Sequence, residues 1–306
     1  MKFAGIIAEY DPFHNGHAWQ LAQAKALGAE RVAVAMSCSL VQRGALPLLP
    51  EAVRTRSALT CGADLVFALP APCACAGAEA FARAGVALLA AAGCDGLVFG
   101  AETPDAALLM EAAELLDSGS YRAALKAQLA GGARSFAAAR QAAAAQLASD
   151  ERVAALLDKP NNNLAVEYCR AIRSLAPRME AYPLPRQGAN HGEALHSAHG
   201  QFASASALRK LWAEGGADAV APYVPEAVFP LYQEAYAAGQ YTDFSAAGRC
   251  ELALLRSACR GKAPFADIRG VSEGLEHRLE AAVRTSTTYD ELLDALTTVR
   301  YPRARM

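Results

Sequence analysis

The sequence predicts an α/β protein built on a mainly parallel sheet, and three observations carry that prediction. From Lys2 to about Arg186, short apolar runs alternate with Ala-rich helical stretches, the order of successive βαβ units. Each apolar run is followed by a turn containing Gly, Pro, Asn or Ser. The composition, 306 residues with 53% apolar and 20% charged, supplies a sizeable core and the length of one large or two ordinary domains.

The strands are read over Phe3–Glu9, Arg31–Met36, Asp64–Leu69, Gly96–Phe99 and Met179–Pro183. Between them Ala and Leu dominate and Pro is absent, which predicts helices over Ala18–Leu27, Glu51–Cys61, Ala78–Ala92, Asp105–Leu116 and Ala137–Leu157. Residues 118–158 contain no strand pattern and read as a helical insertion. After Pro222 the apolar spacing is helical again, through Leu252, Leu255, Ile268, Leu275, Leu279, Val283, Leu292 and Leu296. The expected division is therefore an α/β domain over 1–220, with the helical insertion at about 118–158, and a small helical C-terminal part over 221–306.

Charge and cysteine usage exclude several classes. Lys and Arg number 29 against 31 Asp and Glu, a formal charge of −2, so no global basic field holds a polyanion and any nucleic-acid contact needs a local patch. The run from Phe3 to Ala8 is too short for a signal peptide, and the longest apolar stretch, Ala84 to Cys94, is far below membrane-spanning length. A cytoplasmic location is expected, with no membrane contact. The eight cysteines are scattered without a C-x-x-C and read as reduced thiols serving as small core residues. Cys73 and Cys75 have no nearby His or acid to complete a metal set.

The sharpest motif is Glu9-Tyr10-Asp11-Pro12-Phe13-His14-Asn15-Gly16-His17, directly after the first strand and directly before the first helix. Gly16 admits a ligand close to the backbone, and the free N–H groups of the helix start make an anion site to which two imidazoles add donors. Nucleotide phosphates suit such a site. During attack at an α-phosphorus, His14 and His17 would hydrogen-bond the oxygens on which charge grows as pyrophosphate leaves, with no covalent enzyme intermediate. The plainer reading is a pair of turn histidines beside a helix start. A weaker companion is Ser204-Ala-Ser206-Ala-Leu-Arg209, either a second phosphate site at a helix N-terminus or an ordinary N-cap with a solvated Arg.

With both segments present the chain resembles the H-x-G-H nucleotidyltransferase superfamily, which implies a Rossmann-like fold. A closer resemblance is to the bacterial tRNA(Met) cytidine acetate ligase family. It rests on Glu9–His17 together with Met36-Ser37, Val41-Gln-Arg43-Gly44, Gly62-Ala-Asp-Leu-Val66, Phe99-Gly100-Ala-Glu102, Lys159-Pro-Asn161-Asn162, Ala203–Ser206 and Glu273-Gly-Leu-Glu-His-Arg278, in order over essentially the whole chain. The resemblance implies ATP-dependent activation of acetate to acetyl-adenylate, then acetyl transfer to the wobble cytidine of elongator tRNA(Met), with Mg2+ accompanying the triphosphate. It assigns ATP contacts to Ile7, Ala8, the rest of the loop to His17, Gly100, Asn161 and Arg186. Ser206 and Arg209 complete the phosphate side. Ser37, Arg43, His191, Arg300 and Arg303 are candidates for substrate or RNA contact.

The chain departs from the family pattern at Glu51, where relatives commonly carry Lys, at Ala68, where they commonly carry an acid, and at Cys38, where they commonly carry Gly. Arg54 is near enough in sequence to compensate for Glu51. The C-terminal part is expected to be shorter than in relatives. His191, His196 and His199 lie within nine residues but beside Gly192 and Gly200, so a flexible loop is preferred to a zinc site and no metal ligand is assigned. Two other readings stay open: nucleotidyl transfer onto a small phosphate-bearing acceptor, and a nucleotide- or RNA-binding protein without catalysis.

Overall fold

The computed structural model describes residues 1–306 except 43, 133–134, 186–194, 198–199, 261–263, 269–270, 272–273, 299–302 and 304–306, with backbone alone described at 195–197 and 200–201. Five strands, β1 (Phe3–Ala8), β2 (Arg31–Ser37), β3 (Leu65–Leu69), β4 (Gly96–Ala101) and β5 (Glu180–Pro185), form one sheet in the order β3-β2-β1-β4-β5. Every neighbouring pair is parallel, with Ile6 opposite Val34 and Gly100 opposite Leu184. The strands follow the sequence reading to within a few residues.

Between the first four strands run α1 (Asn15–Ala26), α2 (Glu51–Thr60), α3 (Ala71–Ala74) and α4 (Ala78–Ala91). After β4 come α5 (Ala106–Asp117), α6 (Gly119–Ala130), α7 (Phe136–Leu147), α8 (Glu151–Leu156) and α9 (Pro160–Leu175). The helix read as continuous over Ala137–Leu157 is divided at 148–150, because Asp150 starts a new helix by accepting the Arg152 N–H at 2.8 Å. A short two-stranded antiparallel pair, β6 (Leu195–Ser197) and β7 (Gly200–Phe202), precedes α10 (Ala205–Val220) and α11 (Phe229–Ala237).

The sheet is covered on both faces, which is why its strands read as nearly continuous apolar runs. Side-chain alternation splits the core. Ile7, Ala33, Ala35, Leu97 and Phe99 pack with residues of α4, α5 and α9, while Ile6, Val32, Val34, Met36 and Val98 pack with residues of α1, α2, α10 and α11. Helix α4 lies directly on β1 at Gly85, where a Cβ would stand 2.5 Å from Ile7 Cδ1. The insertion belongs to the first core layer, through Tyr121, Ala143, Val153 and Leu156.

Two compact units are present, Met1–Tyr241 and Thr242–Met306. The division lies beyond the expected 220/221 boundary, because Val224, Val228, Tyr232 and Ala235 are buried in the sheet-side core of the first unit. The second unit consists of α12 (Phe244–Ala258), α13 (Leu275–Thr285) and α14 (Tyr289–Leu296) around Leu252, Phe265, Val283, Leu292 and Leu296. No helix among the described residues is long and apolar enough to cross a membrane.

Strands β1 to β3 are added outward on one side, and β4 returns to the other side of β1. The crevice beyond the C-terminal ends of β1 and β4 is therefore the topological switch point where such sheets bind ligands. The loop after β1 and the segment after Gly100 both open there.

Candidate functional site

The loop from Glu9 to His17 is pinned by residues far away in sequence. Arg54, wholly buried on α2, donates to the backbone oxygens of Glu9 (2.7 Å), Ser37 (2.7 Å) and Leu49 (3.0 Å) and also to that of Cys38. One guanidinium thus ties the end of β1 to the end of β2. Burial pulls the Arg54 guanidinium below its ordinary value, while the Asp11 and Glu51 charges oppose that shift. Asp11, 5% exposed, accepts the Leu48 N–H at 2.6 Å through Oδ1 and faces Arg209 Nη1 at 3.1 Å through Oδ2. Burial pushes the Asp11 carboxyl upward, and Arg209 chiefly opposes it. Farther along, Tyr232 Oη donates to the Phe13 oxygen at 2.7 Å and Asn15 Nδ2 to the Pro222 oxygen at 3.3 Å.

These contacts divide the motif into two kinds of residue. Ile7, Tyr10, Asp11, Pro12, Phe13 and Asn15 are buried and build the loop, whereas Ala8, Glu9, His14, Gly16 and His17 are partly exposed. Tyr10 adopts the left-handed φ of 50°, and its ring packs edge-on against Phe13 and His17, each with centroids 4.8 Å away. Its buried hydroxyl has no hydrogen-bond partner among the described residues.

The histidines act first as backbone groups. His14 is the N-cap of α1, and its Nδ1 accepts the Gly16 N–H at 3.0 Å. His17 Nδ1 in turn accepts the His14 N–H at 3.3 Å, giving a reciprocal capping box made of two imidazoles. The rings stack with centroids 3.7 Å apart. Because both Nδ1 atoms accept, each neutral ring carries its proton on Nε2, which can only donate. The pair therefore presents N–H donors beside the positive end of a helix dipole. Gly16 leaves room for this arrangement, since a Cβ there would stand 2.9 Å from His14 Cε1.

The late segment joins the same loop. Ser204 caps α10 by accepting the Ala207 N–H at 3.2 Å, and Ser206 is exposed with its Oγ 3.1 Å from that of Ser204. Arg209 is 28% exposed and donates to the Asp11 backbone oxygen at 2.6 Å as well as to its carboxylate. It is not simply a solvated Arg; it joins the α10 segment to the loop after β1.

On the β4 side, Gly100 is exposed at the strand end and Glu102 follows it. Glu102 Oε1 accepts from Asn161 N (3.2 Å) and Nδ2 (2.6 Å), and Oε2 accepts from Asn162 N (2.7 Å). Burial pushes the Glu102 carboxyl up, but these hydrogen bonds prevail and hold it below the ordinary range. Asn162 is buried and closes the join by accepting the Thr103 N–H at 2.9 Å. Asn161 thus lies in the first turn of α9, started by Pro160 at a position that needs no N–H.

Several expectations are corrected. Ser37 is fully buried, its hydroxyl without a partner among the described residues, so it offers no surface to RNA. Arg54 cannot compensate for Glu51, because its donors are committed to carbonyl groups; Glu51 itself is exposed at the start of α2. Arg303 is paired with Asp290 and Asp294 of α14. Of the cysteines, Cys94, Cys169 and Cys259 are buried, while Cys250 is exposed. Arg43, Arg186, His191 and Arg300 lie outside the described residues, as does His199. Sequence reading gave no role to Tyr232, Asn162 or the clamp made by Arg54. The clamp had a faint signal, since Arg54 shares a helical stripe with Ser57 and Ala58, all buried.

A family model described as HIGH Nucleotidyl Transferase matches residues 1–306. The tRNA(Met) cytidine acetate ligase of Syntrophotalea carbinolica is 36% identical over 309 residues, covering 100% of this chain and 72% of the relative. This chain belongs to the tRNA(Met) cytidine acetate ligase family. The ligase of Acetivibrio thermocellus is 33% identical over 317 residues, with 100% of this chain and 75% of the relative covered. Among solved structures, Thermotoga maritima TmcAL bound with alpha-thio ATP aligns with a TM-score of 0.89 at 29% identity, covering 100% of this chain and 72% of that one. Its apo form aligns at 0.91 and 30%, covering 100% and 73%. The resemblance read from the motifs, and the Rossmann-like nucleotidyltransferase fold it implied, are both borne out.

Proposed function

We propose that the chain is an ATP-dependent tRNA(Met) cytidine acetate ligase of the cytoplasm, which forms acetyl-adenylate and acetylates the wobble cytidine of elongator tRNA(Met). The observation that carries this reading is the stacked His14 and His17 pair, whose Nδ1 atoms are held by backbone N–H groups at the start of α1. Membership of the family and the likeness to an enzyme crystallised with an ATP analogue support it.

In the first step an acetate oxygen attacks the α-phosphorus of ATP, and the bond to the β-phosphate oxygen breaks. The protein's part is placement and charge stabilisation. The Nε2–H groups of His14 and His17 donate to phosphate oxygens that gain charge, beside the positive end of the α1 dipole. Ser206 and Arg209, at the start of α10 beside the same loop, are assigned to the departing pyrophosphate. Gly100 and Asn161 flank the nucleoside, and Arg186 belongs to the same set through the family resemblance. In the second step the cytidine amine attacks the acetyl carbon and AMP leaves. Mg2+ is proposed as a companion of the triphosphate, which would supply charge neutralisation through phosphate oxygens and water. Among the described residues no group of three or more His, Cys, Asp or Glu side chains is placed to hold it, and no step is routed through it.

The test is acetate-dependent ATP–pyrophosphate exchange without tRNA. Wild type should exchange only with acetate, and His17→Ala should lose roughly two to three orders of magnitude in rate, the usual loss for one such donor. A nucleotidylated phosphate acceptor as product would favour the simpler transferase. ATP binding without exchange or transfer would favour a binding protein.

A further inference from the structure

We infer that Glu102 is a positioning residue that turns the Asn161 amide so that its oxygen faces the nucleotide, making this position a reader of a hydrogen-bond donor on the nucleoside. The inference rests on the proposed ATP site. An ionised carboxylate only accepts, so the 2.6 Å contact from Asn161 to Glu102 Oε1 must be made by the amide nitrogen. The Asn161 backbone N–H reaches the same oxygen at 3.2 Å, which holds the side chain by two adjacent bonds. With Nδ2 directed at Glu102, Oδ1 points the opposite way. No described residue donates to it, although Asn161 is half-buried and sits beside the end of β4.

The same contacts exclude a different role for this helix end. The first amides of α9 donate to Glu102, at Asn161 and again at Asn162 (2.7 Å). A phosphate arriving there would meet a carboxylate already in possession of those donors. What remains for a ligand is an acceptor, and a nucleoside has two kinds of donor to offer it: the ribose hydroxyls and the exocyclic amine of adenine. Both would be bound by the same chemistry. A guanine-like or hypoxanthine-like carbonyl in place of the amine would be repelled, oxygen against oxygen.

Changing Glu102→Gln replaces one accepting oxygen by a donating nitrogen and frees the Asn161 amide to flip. Glu102 is exposed, so the fold tolerates the change, and thermal unfolding of the variant checks this directly. The experiment is equilibrium binding of ATP, 2′-deoxy-ATP, 3′-deoxy-ATP and ITP to wild type, E102Q and N161A. In wild type one analogue, the one lacking the donor that Oδ1 reads, should bind about tenfold more weakly than ATP. That analogue identifies ribose or base as the source. In E102Q, ATP should weaken about tenfold while this analogue stays unchanged, a non-additivity that general loosening of the site would not produce. Equal binding of all four nucleotides by wild type, or equal weakening of all four in E102Q, would overturn the inference. Because the readout is binding, failure of acetate activation would show in the exchange assay and leave this test intact. Failure of wild type to bind any of the four would sink both.

Discussion

Replacing Arg54 by Met tests whether one buried cation holds the site together. The guanidinium serves four backbone oxygens, of Glu9, Ser37, Cys38 and Leu49. Those of Ser37 and Leu49 belong to wholly buried residues and cannot be rehydrated without opening the core, whereas Glu9 and Cys38 are partly exposed and can turn to water. Two orphaned carbonyls at roughly 1–3 kcal/mol each give a loss of about 2–6 kcal/mol. Relief of the guanidinium's own desolvation and the packing of the Met chain oppose it, so the net loss should be about 3 kcal/mol. For a unit of this size that lowers the melting temperature by about 6–12 °C, at roughly 2–4 °C per kcal/mol. Arg54→Lys, with three donors and the charge retained, should lose about half as much. Urea unfolding measures stability, and ATP binding measures the loop. A Met variant within about 1 kcal/mol of wild type would refute the reasoning, because the burial cost would then equal everything the four bonds contribute.

Three further outcomes follow from the geometry. His14→Asn keeps a strong N-cap acceptor for the Gly16 N–H but removes the imidazole Nε2–H, so the melting curve should stay within ~0.5 kcal/mol of wild type while exchange falls about a hundredfold or more; equal losses in both would mean that His14 only caps. Gly16→Ala places a methyl 2.9 Å from His14 Cε1, which must swing the ring out of its stack with His17, and ATP affinity should drop about tenfold or more with little change in urea midpoint. Asp64 accepts from Lys25 Nζ and from the Val32 N–H, each at 2.7 Å; the Lys25 bond leads in holding its carboxyl below the ordinary range, with burial opposing. A depressed folded pKa means stabilisation present above the unfolded value near 4 and lost as pH falls through the folded value. Asp64→Asn should therefore unfold earlier in urea than wild type at pH 7, and the gap should close near pH 2; a gap independent of pH would contradict the assignment.

Much of the architecture was legible because its signals are local. A strand buried on both faces must be apolar throughout, so Phe3–Ala8, Arg31–Ser37 and Gly96–Ala101 stand out from Ala-rich helices by residue type alone. The H-x-G-H loop was legible for a related reason. A Gly beside two His residues at a helix start puts anion-binding donors within nine residues of chain, and their meaning does not depend on distant partners.

What the tertiary structure alone decided concerns groups that work through contacts made across the chain. The stripe that Arg54 shares with Ser57 and Ala58 hints at burial but names no partner; its role comes from carbonyls at the ends of two strands, brought within reach by parallel pairing of β1 with β2. The union of Arg209 with Asp11 spans 198 positions and exists because α10 packs on the face of the sheet from which the first loop emerges. The tautomers of His14 and His17, the orientation of Asn161 and the burial of Ser37 are likewise matters of partner and surroundings. A single sequence states which donors and acceptors a chain possesses. Which of them fold against one another, and which are left to meet a ligand, is settled only when the helical layers close on the two faces of the sheet.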